Sequence, residues 1–209
     1  MSVTSGDTPL TGAVASGMPT GARVDAAMGE LAGATGSYER RLAELPGVYG
    51  EASAFAELVS LEPERLVYFV REHRREERPG DLIFGTSVVL PGQVGSEYHM
   101  SRGHMHRLGD RTEIYHCLSG HGVLLLQRDG RTEAMELTPG AIVYVGRDWI
   151  HRSINVGTEP LVTLFCYPAD AGQDYGVIES AGGMRHRVVA TADAGWSLEE
   201  NPNYRGPRG

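Results

Sequence analysis

The chain of 209 residues carries 27 acidic and 19 basic side chains, a formal charge of −8, and 41% hydrophobic residues. This length suits one domain with its own core, and the negative charge argues against a nucleic-acid partner. All nineteen basic residues are arginine, so the absence of lysine excludes Schiff-base chemistry.

The sequence predicts a cytoplasmic protein with no membrane contact. The first twenty residues lack a basic start followed by an apolar segment, so no signal peptide is expected. No run approaches the roughly 18 apolar residues of a membrane span. Cys117 and Cys166 form no CxxC motif, which favours two reduced thiols over a disulfide framework.

The first third of the chain predicts an extension followed by short helices. Residues 1–36 are rich in Gly, Ala, Ser and Thr, which predicts a flexible extension with one helix near residues 23–31. A second helix is expected from Ser37 to Leu45, and a third over residues 51–61, with Pro63 as its stop. Residues 37–205 are expected to form one domain, and residues 206–209 a tail.

From Arg65 onward the pattern changes to short runs rich in β-branched and aromatic residues, separated by turn signals. Asp129-Gly130, between LLLQR and RTEAMEL, is a strong hairpin signal. Many short strands without intervening helices predict an antiparallel sandwich or barrel.

Histidines are concentrated in the stretch GHMHRLGDRTEIYH, residues 103–116. Because side chains alternate along a strand, His104 and His106 share one face. If Glu113 also points inward on the next strand, His116 must point outward. A later strand can contribute His151 to the same interior.

These residues form a candidate set of three imidazoles and one carboxylate: His104, His106, Glu113 and His151. A mixed nitrogen and oxygen set suits a six-coordinate divalent transition metal with two open positions. A closed structural zinc site would more often be tetrahedral and use thiolates. An HxH pair alone is also compatible with two ordinary histidines; the additional glutamate and histidine favour the metal site.

Two segments resemble cupin motifs: GHMHRLGDRTEIYHCLSG, residues 103–120, and GAIVYVGRDWIHRSIN, residues 140–155. The six residues between His106 and Glu113, together with YPADAGQDYGVI from Tyr167, resemble the cupin-type glucose-6-phosphate isomerases first found in archaea. RPGDLIFGTSVVLPGQVGSEY, residues 78–98, and NPNY near the end agree with that family. The resemblance covers roughly residues 36 to 205.

The resemblance implies an all-β fold, a cupin double-stranded β-helix or jelly-roll barrel, and a homodimer. The short N-terminal helices predicted above would precede the barrel. It also implies interconversion of glucose 6-phosphate and fructose 6-phosphate, a step of glycolysis and gluconeogenesis. The metal would be one divalent ion per subunit, iron first, with manganese, nickel or zinc as alternatives. The positions implied to line the substrate pocket are Thr86, Ser101, Arg102, Gly103, Tyr115, Tyr167, Gln173 and Tyr175.

Two positions depart from the family pattern. Gln173 stands where family members have a histidine, and an amide can form hydrogen bonds but cannot titrate. Arg102 stands where a lysine is frequent; it keeps the charge and adds a planar fork that suits phosphate.

The expected chemistry is proton transfer between C2 and C1 of an open-chain sugar through an enediol. Glu113 is the candidate proton shuttle and also a candidate ligand, and the sequence does not choose between these roles. Tyr115 and Tyr175 are candidate donors to the sugar oxygens, and Arg102, Ser101 and Thr86 are candidate phosphate contacts. The alternatives are a non-haem metal oxygenase and a sugar-phosphate-binding cupin without activity.

Overall fold

The computed structural model describes residues 19–76 and 78–206. Over these residues the chain forms antiparallel sheets with two short α helices, so the all-β barrel prediction is confirmed. In the described part of the chain, no helix is both long enough and apolar enough to cross a membrane.

The elements follow one another in chain order. They are β1 (Arg23–Val24), β2 (Leu31–Ala32), β3 (Gly36–Arg41), a 3-10 helix (Leu42–Glu44), α1 (Ala52–Leu61), β4 (Leu66–His73), β5 (Leu82–Val89), β6 (Gln93–Val94), β7 (Glu97–Tyr98), β8 (Met105–His106), β9 (Glu113–Ser119), β10 (Gly122–Arg128), β11 (Arg131–Leu137), β12 (Ile142–Val145), β13 (Ile150–Asn155), β14 (Leu161–Pro168), β15 (Gln173–Asp174), α2 (Gly176–Ser180), β16 (His186–Ala190) and β17 (Trp196–Glu200).

Two sheets enclose the interior of the barrel. The larger has six strands in the order β12-β9-β14-β5-β4-β3, and the smaller has three in the order β11-β10-β13. Their inner faces supply one continuous hydrophobic core, which includes Tyr115 and Phe165 from the larger sheet and Leu126 from the smaller. A four-stranded sheet, β17-β16-β7-β6, forms a further layer. This layering is the usual way for antiparallel sheets to bury their apolar faces.

Strand β9 shows how alternation directs side chains to the interior. Glu113, Tyr115 and Cys117 are buried, whereas Ile114 is 39% exposed and His116 is only partly buried. Side chains two apart share a face of a strand, so Glu113 points inward and His116 outward, as predicted.

Strand β5 is buried on both faces because the β1–β2 hairpin covers its outer side. Gly29 of the hairpin packs so closely that a Cβ atom there would lie 2.1 Å from Val88 Cγ2. The Thr86 hydroxyl donates a hydrogen bond to the Gly29 carbonyl. Residues 19–36 therefore contribute a layer to the barrel wall.

Two of the three predicted N-terminal helices are wrong. The segment from Arg23 to Leu31 is a hairpin, in which Asp25 accepts hydrogen bonds from the backbone of Ala27 and Met28. An Asp side chain that binds nearby amides competes with helix formation. The segment beginning at Ser37 is the edge strand β3, because pairing with β4 outweighs local helix preference.

The helix predicted over residues 51–61 is confirmed as α1, and it ends two residues before Pro63. The hairpin predicted at Asp129-Gly130 is also confirmed, since Arg128 pairs with Arg131 across this turn. Both turn residues have positive φ, 49° and 76°, as a two-residue turn of this hand requires.

Candidate metal centre and active site

Four buried side chains from separate segments converge inside the barrel. They are His104, His106, Glu113 and His151, and one ligand atom from each lies within 4.8 Å of the others. Strand β8 supplies His106, β9 supplies Glu113 and β13 supplies His151. His104 joins them through an isolated antiparallel bridge to His151, with backbone hydrogen bonds of 3.1 and 2.9 Å.

Backbone carbonyls fix the orientation of two imidazoles. His106 Nδ1 donates to the carbonyl of Arg111 at 3.0 Å, and His151 Nδ1 donates to the carbonyl of Trp149 at 3.1 Å. Because a carbonyl only accepts, the proton lies on Nδ1 and each Nε2 presents a lone pair to the interior. Contacts of this kind are typical of histidines that bind metal.

The converging atoms fit a cation. Nε2 of all three histidines and Oε2 of Glu113 are buried and lack a hydrogen-bond partner among the described residues. His106 Nε2 and His151 Nε2 nevertheless lie 3.2 and 3.0 Å from Glu113 Oε2. With the protons on Nδ1, these contacts bring acceptor atoms together, which a divalent ion between them would stabilise.

The pKa shifts of two cluster residues have different dominant causes. Burial opposes ionisation of Glu113, but hydrogen bonds and positive charge from the protonated forms of His106 and His151 outweigh it, and the pKa of this carboxyl falls below its ordinary value. Burial, followed by the neighbouring His151, lowers the pKa of His104 well below its ordinary value. The centre therefore combines an ionised carboxylate with a neutral imidazole, and both are metal ligands in this protonation state.

A small cavity of about 50 Å³ lies over the cluster. It has room for a few water molecules only, so a hexose phosphate can enter only after the side chains above it move. A larger cavity of about 550 Å³ contains none of the four cluster residues. We assign the chemistry to the smaller one, because catalysis requires the reactive groups and not the largest volume.

Most of the predicted substrate positions line the small cavity. These are Ser101, Arg102, Gly103, Tyr115, Tyr167, Gln173 and Tyr175. Their aromatic rings surround the cluster: the ring centroids of Tyr115 and His151 are 5.8 Å apart, and those of Tyr167 and His106 are 5.6 Å apart. The structure thus brings seven of the eight predicted positions together around the four candidate ligands.

Thr86 does not lie in the cavity. Its side chain points to the outer face of β5, where its hydroxyl binds the Gly29 carbonyl, and the residue is fully buried. Ser87, the next residue, lines the cavity instead. Since adjacent residues on a strand point to opposite faces, an offset of one residue moves the hydroxyl out of the site.

Arg102 lies at the rim of the cavity in contact with two neighbours. Its guanidinium carbon is 4.5 Å from the centre of the Tyr175 ring, and its Nη2 donates to Glu179 of α2. The Tyr175 hydroxyl donates to the Gln173 side chain. These contacts connect residues 173–179 to the rim, so substrate entry requires at least some of them to change.

Gly103 occupies a position that other residues would disturb. Its φ of 74° is in the left-handed region, and a Cβ atom would lie 2.9 Å from Ile178 Cδ1 and 3.0 Å from Arg152 Nε. Glycine therefore allows the chain to turn between Arg102 and His104 above a closely packed layer.

Sequence analysis missed several lining residues: Tyr38, Tyr68, Glu72, Ser87 and Ser153. Tyr68, Val70 and Glu72 alternate along β4, a period-two pattern that could have identified them. Glu72 belongs to the charged run REHRREER, residues 71–78, a pattern that predicts a solvated strand end. Its side chain is only 12% exposed and accepts a hydrogen bond from Arg74.

Comparisons with known proteins agree with the geometry. The glucose-6-phosphate isomerase (GPI) family model matches residues 39–205. A protein named putative glucose-6-phosphate isomerase 1, from Rhizobium meliloti (strain 1021), is 45% identical over 188 residues, which span 90% of this chain and 88% of that protein. The glucose-6-phosphate isomerase of Thermococcus kodakarensis is 39% identical and covers 90% of this chain and 97% of its own. Among solved structures, a Bacillus subtilis oxalate decarboxylase mutant is 21% identical with a TM-score of 0.41, over 51% of this chain and 27% of that one, which is too weak to bear on function.

Proposed function

The chain belongs to the cupin-type glucose-6-phosphate isomerase family and is an isomerase of that kind; from this premise we propose that it interconverts glucose 6-phosphate and fructose 6-phosphate by metal-dependent proton transfer through an enediol. The observation that carries the proposal is the convergence of four buried ligand atoms within 4.8 Å. The family match favours this activity over an oxygenase or a binding protein without activity.

The metal ligands in this proposal are His104, His106, Glu113 and His151. A bound divalent ion would polarise the sugar carbonyl and stabilise the negative charge that develops on its oxygen. Iron is the first expectation, with manganese, nickel or zinc as alternatives, because an imidazole-rich set accepts all of these.

Glu113 moves the proton in this mechanism. Its carboxylate is buried and ionised, and it lies on the inner face of β9 beside Tyr115. A carboxylate in this position can take the proton from C2 of the aldose and return it to C1 from the same face of the enediol. General acid–base catalysis of this kind contributes roughly 10²–10⁴-fold to a rate.

Tyr115 and Tyr175 supply hydroxyls to the sugar oxygens. Burial, followed by the nearby Glu113, raises the pKa of Tyr115 well above its ordinary value, so its phenol keeps its proton as a donor. Burial likewise raises the pKa of Tyr175. Tyr167, which stacks on Phe165 with ring centroids 5.7 Å apart, would exclude water from the reacting end.

The phosphate is expected at the rim, where Arg102 and Ser101 lie. A guanidinium forms charge-assisted hydrogen bonds with phosphate, and the Ser101 hydroxyl and the Gly103 backbone lie on the same segment. Gln173, the partner of the Tyr175 hydroxyl, would orient that tyrosine without exchanging a proton. Anchoring the distal phosphate would hold C1 and C2 over the cluster.

A coupled assay tests the metal requirement. Formation of glucose 6-phosphate from fructose 6-phosphate is followed with an added NADP-dependent dehydrogenase, before and after metal is stripped and restored. His151→Ala should lose both metal and activity. His116→Ala, on the outer face of β9, is the matched control and should retain both. Full activity in stripped protein, with metal content measured, contradicts the metal requirement.

The route of the proton needs a separate measurement. Isomerisation of fructose 6-phosphate in D2O should place solvent deuterium at C2 of the product, because a protonated carboxylate exchanges with solvent. Glu113→Gln should reduce the rate by at least about 10²-fold. Deuterium in the product would exclude a hydride shift, whereas its complete absence would contradict solvent exchange at Glu113.

A further inference from the structure

A second cavity, of about 550 Å³, lies on the opposite side of β13 from the metal centre. Alternation along β13 turns His151 toward the cluster and Arg152 toward this cavity. The cavity floor is apolar and includes Met100, Leu125 and Ile154. Its volume is in the range of about 300–1,000 Å³ that is typical of small-molecule sites.

Arg152 is a buried cation without a counter-ion. It is 5% exposed, and within the described ranges no carboxylate lies within 4.0 Å of its guanidinium. Its Nη2 donates to the Arg102 carbonyl at 2.6 Å and its Nη1 contacts Met100 Sδ at 3.2 Å, but Nε has no partner. A buried charge that is neither paired nor fully hydrogen-bonded is costly, and an oxyanion that accepted a hydrogen bond from Nε would offset that cost.

Tyr49 borders the same cavity with a second unused polar group. The residue is 5% exposed, and its hydroxyl lies beside the Met100 backbone without forming a hydrogen bond of normal geometry. Buried tyrosine hydroxyls usually have a partner. Neither this hydroxyl nor Arg152 Nε is reached by solvent, so an acceptor oxygen from the cavity would satisfy both only after neighbouring atoms move to admit it.

The carboxylates around the cavity are already engaged. Glu97 Oε1 accepts hydrogen bonds from the Gly50 backbone at 2.6 Å and from Arg187 at 3.3 Å. Glu179, at the opposite rim, is paired with Arg102. Arg152 therefore has no carboxylate in direct contact, and Glu97 offsets its charge only from a longer distance, so an anionic ligand beside the guanidinium would be favoured.

We propose that this cavity is a second binding site, which takes a small molecule with an oxyanion group on a largely apolar body. The oxyanion, a phosphate or a carboxylate, would accept hydrogen bonds from Arg152 and Tyr49, and the body would lie on Met100, Leu125 and Ile154. One hydrogen bond, from Arg152 to the Arg102 carbonyl, connects this site to the rim of the catalytic cavity. The site does not depend on the isomerase mechanism.

Calorimetric titration with three aromatic probes tests the proposal: phenyl phosphate, benzoate and neutral benzyl alcohol. The titrations use the full chain with Arg102→Met and Glu179→Gln together. The first change removes the guanidinium expected to bind phosphate at the catalytic rim, and the second removes the carboxylate that would otherwise be left unpaired beside the cavity. At least one anion should bind with one site per chain, and a preference between them identifies phosphate or carboxylate as the group recognised. Benzyl alcohol should bind at least 10-fold more weakly.

Two substitutions assign the binding to this cavity. Arg152→Met should weaken anion binding at least 10-fold, and Tyr49→Phe should weaken it about 2- to 10-fold. The matched controls are Arg128→Met and Tyr144→Phe, since both residues are exposed on the surface, and neither should alter binding. Tyr49→Phe removes no hydrogen bond of normal geometry, so it decides the question alone if Arg152→Met does not fold.

Three results would overturn the proposal. Neither anion binds the chain that carries both Arg102→Met and Glu179→Gln; or benzyl alcohol binds as tightly as the anions; or anion affinity is unchanged in Tyr49→Phe. The first would leave Arg152 as a purely structural cation, and the second would reduce the cavity to an apolar cleft.

Discussion

Glu179 competes with the substrate phosphate for Arg102 if phosphate binds at the rim, and replacing it should improve substrate binding. The two side chains form an ion pair in which Arg102 is 35% and Glu179 is 58% exposed. An ion pair this exposed contributes about 0.2–1 kcal/mol. Because 1.4 kcal/mol corresponds to tenfold, Glu179→Gln should lower KM for fructose 6-phosphate by about 1.4- to 5-fold, with kcat unchanged.

A double-mutant cycle separates competition from a general change in surface charge. Arg102→Met alone should reduce kcat/KM by about 10- to 150-fold, because it removes charge-assisted hydrogen bonds of about 1.5–3 kcal/mol to the phosphate. In that background Glu179→Gln should have no further effect. Glu199→Gln, which removes an exposed partner of Arg187, is the control and should leave KM unchanged.

Steady-state kinetics at fixed ionic strength decides between two roles for Glu179. A higher KM in Glu179→Gln would mean that Glu179 orients Arg102 for phosphate, which refutes competition. The same decrease of KM with and without Arg102 would mean that Glu179 repels the substrate through its charge alone.

Three further predictions follow from particular contacts. Ser87→Ala should lower kcat/KM about 2- to 10-fold, whereas Thr86→Val should leave kcat/KM unchanged. Thr86→Val should instead reduce the free energy of unfolding by about 1–3 kcal/mol, because it leaves the Gly29 carbonyl without its hydrogen-bond donor. The reverse pattern would place Thr86, and not Ser87, in the active site. Asp170→Asn should weaken metal binding by up to about 10-fold, because Asp170 accepts hydrogen bonds from Nε and Nη2 of Arg111, whose carbonyl orients the ligand His106. Unchanged affinity in a competition titration with a chelator would contradict this. Burial raises the pKa of Glu97, so just above the ordinary glutamate pKa the folded protein binds more protons than the unfolded chain. The free energy of unfolding of the wild type, relative to that of Glu97→Gln, should therefore fall as pH rises from about 4.5. Urea unfolding in which this difference rises with pH would contradict the prediction.

The sequence predicted the antiparallel barrel from short strands separated by turn signals, and it predicted the convergence of the histidines from alternation along those strands. Once His104 and His106 are placed on one face, a strand period of two determines which neighbouring side chains can join them. The same period predicts Glu113 on the inner face and His116 on the outer face, and the structure shows this arrangement. Turn residues such as Asp129-Gly130 carry a local signal of similar strength.

The predictions of helices over residues 23–31 and 37–45 were wrong because tertiary contacts decide the structure of these segments. Helix preference over residues 23–31 is weak, and the hairpin there packs Gly29 against Val88, 59 positions later in the chain. Strand β3 forms because β4 presents a free edge to it. Neither contact produces a periodic pattern of apolar residues in the sequence of the segment itself.

Alternation could not show which side chains of β5 point into the barrel, because both faces of this strand are buried. Thr86 and Ser87 are adjacent hydroxyl residues in a run where nearly every side chain is covered. Only the hairpin over the outer face shows that Thr86 points away from the cavity. Strands buried on both sides lose the polar and apolar contrast that reports their orientation.

Most of the proposed mechanism depends on one divalent ion, held by His104, His106, Glu113 and His151, that the isomerase reaction needs. The most direct measurement titrates Fe²⁺, and in parallel Mn²⁺, into stripped protein and follows fructose 6-phosphate conversion together with bound metal. Activity should rise linearly and reach its plateau at one ion per chain. His151→Ala should show neither the rise in activity nor the plateau. A plateau reached without bound metal, or an undiminished plateau in His151→Ala, would contradict the account.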